Sequence, residues 1–125
     1  METNENELTR EIIGAAIQVH RALGPGLLES VYEECLAYEL AQRLIQFERQ
    51  KAVPVTYRDV HLDCGFRIDL MVQNEVVVEL KSVEAILPIH KAQVLTYLKL
   101  TGQRLALLIN FNVAVLNDGI VRLKL

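Results

Sequence analysis

The sequence predicts an α/β (α+β) domain in which a mixed central sheet is flanked by helices. Apolar residues recur with a helical period early in the chain, strand-like apolar patterns follow, and a second helical segment separates those strands from a continuous apolar run. The 125 residues, 51% of them hydrophobic and 23% charged, suffice for one globular domain with its own core. We therefore expect a single domain over residues 1–125, with the element order ααβββαβββ.

Two helices are predicted in the first third of the chain. Residues 1–6 are expected to be a flexible tail, and residues 8–23 are predicted as a helix because their apolar positions follow a period near 3.6. Gly24-Pro25-Gly26 ends that helix, since Gly favours a helix C-cap and Pro cannot continue the helix. A second helix is predicted over residues 27–44, and the segment 30–33 has the Ser-to-Glu spacing of a capping box.

A three-stranded meander is predicted next. Residues 53–57 are predicted as a strand, and Pro54 favours an edge position for it because Pro cannot donate to a sheet ladder. Residues 61–72 and 76–83 are predicted as the next two strands, joined by a loop at residues 73–75.

The last third of the chain is predicted to hold one helix and three strands. A helix over residues 88–100 begins at Pro88, where the missing N–H costs nothing. Residues 104–111 contain the apolar run Leu-Ala-Leu-Leu-Ile and predict a buried central strand. The turn signal Asn117-Asp118-Gly119 predicts a C-terminal hairpin between residues 113–116 and 120–125.

The bulk properties exclude several classes of protein. The net charge of -3 argues against a strong non-specific nucleic-acid binder, and no apolar run reaches the roughly 20 residues of a membrane helix, so no membrane partner is expected. The acidic N-terminal segment lacks the basic start of a signal peptide, which makes the cytoplasm the expected location. Cys35 and Cys64 form no metal-binding or redox spacing and are expected to be reduced thiols.

Two carboxylates and a lysine are predicted to share one face of a hairpin. The even positions of the two strands, from Ile68 to Val72 and from Val76 to Leu80, are apolar, whereas the odd positions include Asp69, Glu79 and Lys81. Alternate side chains of a strand point to opposite faces, and a 73–75 loop places Asp69 directly opposite Glu79. Like charges in that position repel each other. We therefore expect a divalent metal to neutralise the pair.

The chemistry of this set suits a hard cation. Mg²⁺ (or Mn²⁺) binds through one or two carboxylates plus waters and phosphate oxygens, so Asp69, Glu79 and the backbone carbonyl of Leu80 are predicted ligands. Lys81, two residues after Glu79, is predicted to orient or help deprotonate an attacking water. The alternative is a solvated strand face, because this spacing of Asp, Glu and Lys also arises by chance.

The chain resembles the GxxExxY proteins in its segment 23–32, where Gly26, Glu29 and Tyr32 stand at the three named positions. Further motifs of the resemblance follow in order along the chain: Pro54-Val55, Gly65-Phe66-Arg67-Ile68-Asp69, Glu79-Leu80-Lys81, Pro88-Ile89-His90-Lys91-Ala92-Gln93, Thr96-Tyr97-Leu98, Gly102 and Leu108-Ile109-Asn110-Phe111. That family is similar to the PD-(D/E)xK nuclease superfamily, in its RecB-like branch. The resemblance implies a restriction-endonuclease-like αβββαβ core, to which this chain adds an N-terminal helix and a C-terminal hairpin.

The resemblance also implies roles for individual residues. Asp69, Glu79 and Lys81 match the catalytic triad, with Ile68 where the superfamily often has Pro, and Glu29 matches a helix-borne carboxylate of the metal site. Two further residues, Gln93 and Tyr97, match a nucleic-acid-binding pair. Their i, i+4 spacing puts them on one helix face.

For the residues outside the triad, alternatives without a catalytic or binding role stay open. Glu29 also fits a first-turn acid favoured by the helix dipole. Gln93 also fits an exposed helix residue and Tyr97 a core aromatic. His90 lies three residues before Gln93 and is predicted to meet a phosphate, although a lone His is more often a surface residue.

The sequence thus leads to two hypotheses of different classes. The first is a metal-dependent nuclease that hydrolyses phosphodiester bonds, with DNA as the expected substrate. The second is a catalytically silent nuclease-like module for nucleic-acid binding or protein assembly, since one fold hosts varied functions. A homodimer is a further expectation, because a minimal nuclease domain gains grip on nucleic acid by pairing.

Overall fold

The structure is a computed structural model and describes residues 5–63 and 65–125. In chain order its elements are α1 (Glu5–Leu23), α2 (Glu29–Gln42), β1 (Phe47–Ala52), β2 (Val55–Tyr57), β3 (Val60–Leu62), β4 (Arg67–Val72), β5 (Val76–Lys81), α3 (Pro88–Thr101), β6 (Leu105–Asn110), a 3-10 turn at Leu116–Gly119, and β7 (Ile120–Lys124).

The main sheet has five strands in the order β1-β4-β5-β6-β7. Strands β5 and β6 run parallel, with Val76 paired to Leu105 and Lys81 to Asn110, whereas the other neighbours are antiparallel. A parallel pair needs a crossover connection, and α3 supplies it. The sequence α2-β1-β4-β5-α3-β6 is an αβββαβ core with a mixed sheet, as predicted.

Helices cover both faces of this sheet. On one face α1 and α2 pack against Leu70, Val78 and Leu107, and all three side chains are fully buried. On the other face α3 packs against Met71 and Val77. The sequence left open that the odd-numbered side chains of β4 and β5 form a solvated polar surface. The structure differs, because the buried residues Met71 and Val77 on that face pack against α3.

The first strand of the core was placed wrongly by the sequence pattern. Residues 53–57 were predicted to be that strand, but β1 (Phe47–Ala52) pairs with β4, with Phe47 opposite Val72. The pattern missed β1 because it lies at the sheet edge and is mostly exposed, so its Phe-Glu-Arg-Gln-Lys-Ala sequence carries no apolar alternation.

The strand predicted over residues 61–72 is interrupted. Only β4 (Arg67–Val72) joins the main sheet, while β2 and β3 form a separate two-stranded hairpin that turns at Arg58, whose φ is 54°. Cys64 lies outside the described residues. The insertion leaves the core topology intact, since β1 and β4 remain neighbours.

The C-terminal hairpin is also corrected, because only its second strand forms. Residues 113–116 form no strand, and the Leu116 side chain, which is 3% exposed, packs in the hydrophobic core. A Cβ atom on Gly119 would lie 2.1 Å from the carbonyl oxygen of Asn110. The glycine that suggested a hairpin turn instead permits this close approach of two backbones.

The helix boundaries differ from the predictions by a few residues. Helix α1 begins at Glu5, inside the predicted tail, and the Glu5 carboxylate pairs there with Lys124 at 3.3 Å and Arg122 at 3.7 Å. The part of that tail before Glu5 lies outside the described residues. Helix α3 ends at Thr101 before Gly102, close to the predicted end.

None of the helices described is both long and apolar enough to span a bilayer.

Candidate active site

The sheet ladder between β4 and β5 is replaced by side-chain hydrogen bonds at Asp69 and Glu79. Backbone pairing runs as far as Leu70 opposite Val78. Beyond that point the Asp69 N–H donates to Glu79 Oε1 at 3.0 Å, and the Leu80 N–H donates to Asp69 Oδ2 at 2.8 Å. The structure therefore brings the two predicted carboxylates together, each holding the backbone of the opposite strand.

Burial makes ionisation of this pair costly. Glu79 is 5% exposed, and burial, followed by the charge of Asp69, raises its pKa to about 8. The pKa of Asp69 is also raised, mainly by burial, although hydrogen bonds from Leu80 and Gln50 oppose the shift. The two carboxylates therefore repel each other only when both are ionised, and near neutral pH a proton on Glu79 removes that repulsion.

Glu29 reaches this site from the first turn of α2. Its Oε1 accepts the N–H of Ser82 at 3.2 Å, and the Ser82 hydroxyl donates to the carbonyl of Leu27 at 2.6 Å. Its negative charge is among the smaller causes that raise the pKa values of Asp69 and Glu79. Helix α2 and the end of β5 are therefore tied together near the carboxylate pair, but Glu29 does not form a three-acid cluster with Asp69 and Glu79 in the described residues.

Tyr32 fixes the loop that leads into Glu29. Its hydroxyl donates to the Gly24 carbonyl at 2.6 Å and accepts the Leu27 N–H at 3.2 Å. Its ring is fully buried and stacks on Phe111, with centroids 4.3 Å apart. Tyr32 accordingly has the packing role that its lack of obvious chemistry suggested.

Lys81 is the last residue of β5 and is half-buried. Its carbonyl accepts the N–H of Phe111 at 2.9 Å, which fixes the backbone at this point. Its positive charge lowers the pKa of Glu79, against the effect of burial. The charge of Lys81 therefore reaches Glu79, and its action on an attacking water stays a prediction.

Helix α3 lies over the same region. The pKa of Tyr97 is raised by burial and then by the charges of Glu79 and Asp69, while a hydrogen bond from Gln93 opposes the shift. Tyr97 is buried and Gln93 is exposed. Tyr97 therefore lies near enough to Gln93 and to the two carboxylates for them to shift its pKa, and the nucleic-acid-binding role of the pair stays a prediction.

His90 has a local role in the same helix. Its Nδ1 accepts the backbone N–H of Leu87 at 3.0 Å, so the side chain caps the N-terminus of α3. This bond puts the proton of the neutral ring on Nε2. Contact of His90 with a phosphate stays a prediction.

Three site residues escaped the sequence reasoning, and they are Glu33, Arg49 and Gln50. The Gln50 side-chain amide donates to Asp69 Oδ1 at 3.2 Å and to Glu33 Oε1. Arg49 donates to Glu33 Oε2 from Nη2 at 2.8 Å. Spacing suggested that Glu33 completes a capping box, whereas α2 begins at Glu29 without a side-chain cap. No sequence pattern marked the other two, because they lie on the edge strand that was missed.

The donor set fits a hard divalent cation. Two carboxylates converge, and because the Leu80 N–H points to Asp69, the Leu80 carbonyl of the same extended residue faces that side too. Within residues 5–63 and 65–125, no group of three or more His, Cys, Asp or Glu side chains is close enough to enclose a metal ion. Mg²⁺ needs only one or two carboxylates together with waters and phosphate oxygens, so a pair suffices.

Comparisons with known proteins give one match. Neither the curated proteins nor the solved structures contain a match to this chain. A model of the PD-(D/E)XK nuclease superfamily matches residues 6–123, a span that includes both sheet carboxylates, Lys81 and α3. The chain therefore belongs to the PD-(D/E)XK nuclease superfamily.

Proposed function

We propose that the protein is a metal-dependent nuclease that hydrolyses phosphodiester bonds in DNA. The observation that carries the proposal is the buried Asp69–Glu79 pair, whose carboxylates are held side by side by the backbone N–H groups of Asp69 and Leu80. Burying two acids together is costly without a compensating role. Because the chain belongs to a nuclease superfamily, the role we propose for the pair is to bind a catalytic metal ion.

Asp69, Glu79, the Leu80 carbonyl and Glu29 are the groups that would hold the metal, Mg²⁺ or Mn²⁺. When bound, such an ion supplies positive charge that favours ionisation of water and stabilises the phosphate in the transition state. Glu29 forms no three-acid cluster with Asp69 and Glu79 in the part of the chain described, and we propose that it joins the set when the metal binds, because its carboxylate is fixed against Ser82 at the end of the strand that carries Glu79.

Lys81 is the group we assign to the attacking water. In hydrolysis the water oxygen bonds to phosphorus and the bond from phosphorus to the leaving oxygen breaks. The attacking water releases a proton to solvent, and the leaving oxygen takes up a proton from solvent. An ammonium group has three donors and no acceptor, so Lys81 would orient the water or the phosphate through hydrogen bonds and offset developing negative charge. Its effect on the pKa of Glu79 supports this placement.

Gln93, Tyr97 and His90 are the groups we assign to nucleic-acid binding. Gln93 is exposed and acts on the pKa of the Tyr97 hydroxyl, which also responds to the charges of Glu79 and Asp69. The neutral His90 ring has its remaining N–H, on Nε2, free of the helix cap described above. All three offer donors to phosphate oxygens, which is how most protein contacts to a nucleic-acid backbone are made.

Cleavage assays test this proposal. Single- and double-stranded DNA are incubated with the protein and Mg²⁺ or Mn²⁺, and RNA is included to test the choice of substrate. Asp69→Asn and Lys81→Met should each lower the rate by about 100-fold or more. Lys99→Met, which removes an exposed lysine of α3, is the matched control and should cleave like the wild type. Cleavage that survives both site substitutions would exclude the assignment.

A second candidate function is the catalytically silent nuclease-like module. One observation favours it: with a Glu79 pKa of about 8, a proton can neutralise the pair near neutral pH, and no metal is then required for the fold. Calorimetric titration with Mn²⁺ separates the two functions. Heat of binding in the wild type that Asp69→Asn abolishes supports the nuclease, whereas no binding at millimolar metal, with or without DNA, supports the silent module.

A homodimer and a cytoplasmic location stay predictions. The strand β7 is the last in the main sheet, so its outer edge is where a second copy would pair. Light scattering after size-exclusion chromatography gives the mass in solution and decides between one copy and two.

A further inference from the structure

We propose that Gln50 is a positioning residue that fixes the Asp69 carboxylate, and that Glu33 and Arg49 anchor it. This inference rests on the proposed function, since it assigns a supporting group to the candidate metal site. Gln50 lies on β1, one strand away from the acids themselves.

The Gln50 amide is shared between two acids. Its Nε2 donates one hydrogen to Asp69 Oδ1, at 3.2 Å, and the other to Glu33 Oε1. A carboxylate accepts hydrogen bonds but donates none, so a side-chain NH₂ group suits this position between two of them. Gln50 thus links an acid of the site to an acid of α2.

The anchor at the other end of this link is rigid. Glu33 is 7% exposed, and its Oε2 accepts two hydrogen bonds from Arg49, from Nε at 3.2 Å and from Nη2 at 2.8 Å. A buried carboxylate without such a partner would be costly. Arg49 also binds Glu34 at 2.8 Å, so the guanidinium spans two residues of α2. The Glu33 oxygen that meets Gln50 is therefore held in one place.

The backbone of Gln50 supplies an independent observation. Five non-glycine residues have positive φ in the part of the chain described here, and four of them lie in turns: Leu44, Arg58, Gln73 and Asn74. Gln50, with φ of 50°, is the one that lies inside a strand. The left-handed conformation costs an ordinary residue about 1–2 kcal/mol. Such strain persists where surrounding contacts over-determine it, often beside functional sites.

The consequence for Asp69 is a fully determined orientation. Oδ2 accepts the Leu80 N–H and Oδ1 accepts the Gln50 amide, so rotation of the carboxylate would break one or both bonds. Each carboxylate oxygen has two lone pairs, and one on each oxygen stays available for a cation. Residues that hold a metal-binding side chain in this way typically contribute 10–100-fold to metal affinity or activity, an order-of-magnitude guide.

Gln50→Met tests the inference, since it keeps the length of the side chain and removes the amide. Gln50 is exposed, so the substitution leaves the core unchanged. The matched control is Gln103→Met, which removes an amide that donates to Asn74 at 3.3 Å. We expect Gln50→Met to weaken Mn²⁺ binding about 10–100-fold and lower kcat with KM for DNA nearly unchanged, while Gln103→Met resembles the wild type.

A metal-free readout keeps this test separate from the proposed function. The Leu80 N–H reports on Asp69 directly, because it donates to Oδ2. In Gln50→Met its hydrogen exchange should accelerate at least tenfold over that of the Val78 N–H, which lies in the regular ladder. Equal acceleration at both amides, or none at Leu80, would overturn the positioning role. A wild type without metal binding or cleavage would refute the proposed function, and the Leu80 exchange rate would still decide the role of Gln50.

Discussion

The substitution Glu79→Gln should make the protein more stable at alkaline pH. In the native state burial raises the pKa of Glu79 to about 8, whereas the unfolded chain has the ordinary value of 4.5. Glutamine has the shape of the protonated acid and does not ionise. The variant therefore keeps the neutral form of the side chain at every pH, while the wild type must either retain a proton or bury a charge.

The direction and the size of the change in the free energy of unfolding follow from these two pKa values. Between pH 4.5 and 8 the unfolded chain has released the Glu79 proton and the native protein has not, so the free energy of unfolding falls as pH rises. The slope is about 1.4 kcal/mol per pH unit, and the full loss across the window approaches about 5 kcal/mol. The stabilising contribution is complete below pH 4.5 and is lost above pH 8. Asp69, whose pKa is also raised, acts in the same direction in both proteins.

Urea unfolding from pH 5 to pH 9, in buffer that contains a chelator, measures this effect. We expect wild type and Glu79→Gln to differ by less than about 1 kcal/mol at pH 5 and the variant to be several kcal/mol more stable at pH 8.5. Glu75→Gln, which removes an exposed acid of the β4–β5 loop, is the matched control and should follow the wild type. Parallel curves for wild type and Glu79→Gln would refute the reasoning.

Three further predictions follow from the same structure. At pH 8.5, Mg²⁺ at 100 times its dissociation constant should raise the free energy of unfolding by about 2.7 kcal/mol, and no gain in thermal or urea unfolding would argue against a metal site. Tyr32→Phe should cost about 1–3 kcal/mol in urea unfolding by removing the hydroxyl that holds Gly24 and Leu27, whereas exposed Tyr38→Phe should be neutral. Gly119→Ala should destabilise by about 1–3 kcal/mol, because its Cβ would meet a backbone carbonyl, and a neutral result in the same assay would contradict that packing.

The sequence predicted those parts of the fold that bury apolar side chains in a regular pattern. Helix α1 has an apolar period that matches its burial, β5 and β6 are apolar runs, and α3 is bounded by Pro88 and Gly102; the structure confirms all four within a few residues. Strand β1 has no such pattern, since it owes its strand conformation to pairing with β4 rather than to its own composition. The segment before β7 was misinterpreted because its glycine signalled a turn while serving a close backbone contact.

The candidate site was predictable where spacing decides proximity. The register of one hairpin places Asp69 next to Glu79, and one turn of helix places Gln93 next to Tyr97. Residue spacing does not reveal contacts between segments that are far apart in the sequence. The link from Glu33 through Gln50 to Asp69 joins a helix, an edge strand and a central strand, and only the folded chain brings these three together.

The layering of the domain makes the complete candidate site a property of the folded chain. Glu29 comes from α2, which packs on one face of the sheet, whereas Tyr97 comes from α3, which packs on the opposite face. Glu29 accepts the N–H of Ser82, which follows the strand that carries Glu79, and the pKa of Tyr97 responds to the charges of Glu79 and Asp69. A chain that has formed only one of its two layers therefore lacks part of the candidate site. Under the proposed function, cleavage of nucleic acid would require both layers to be in place.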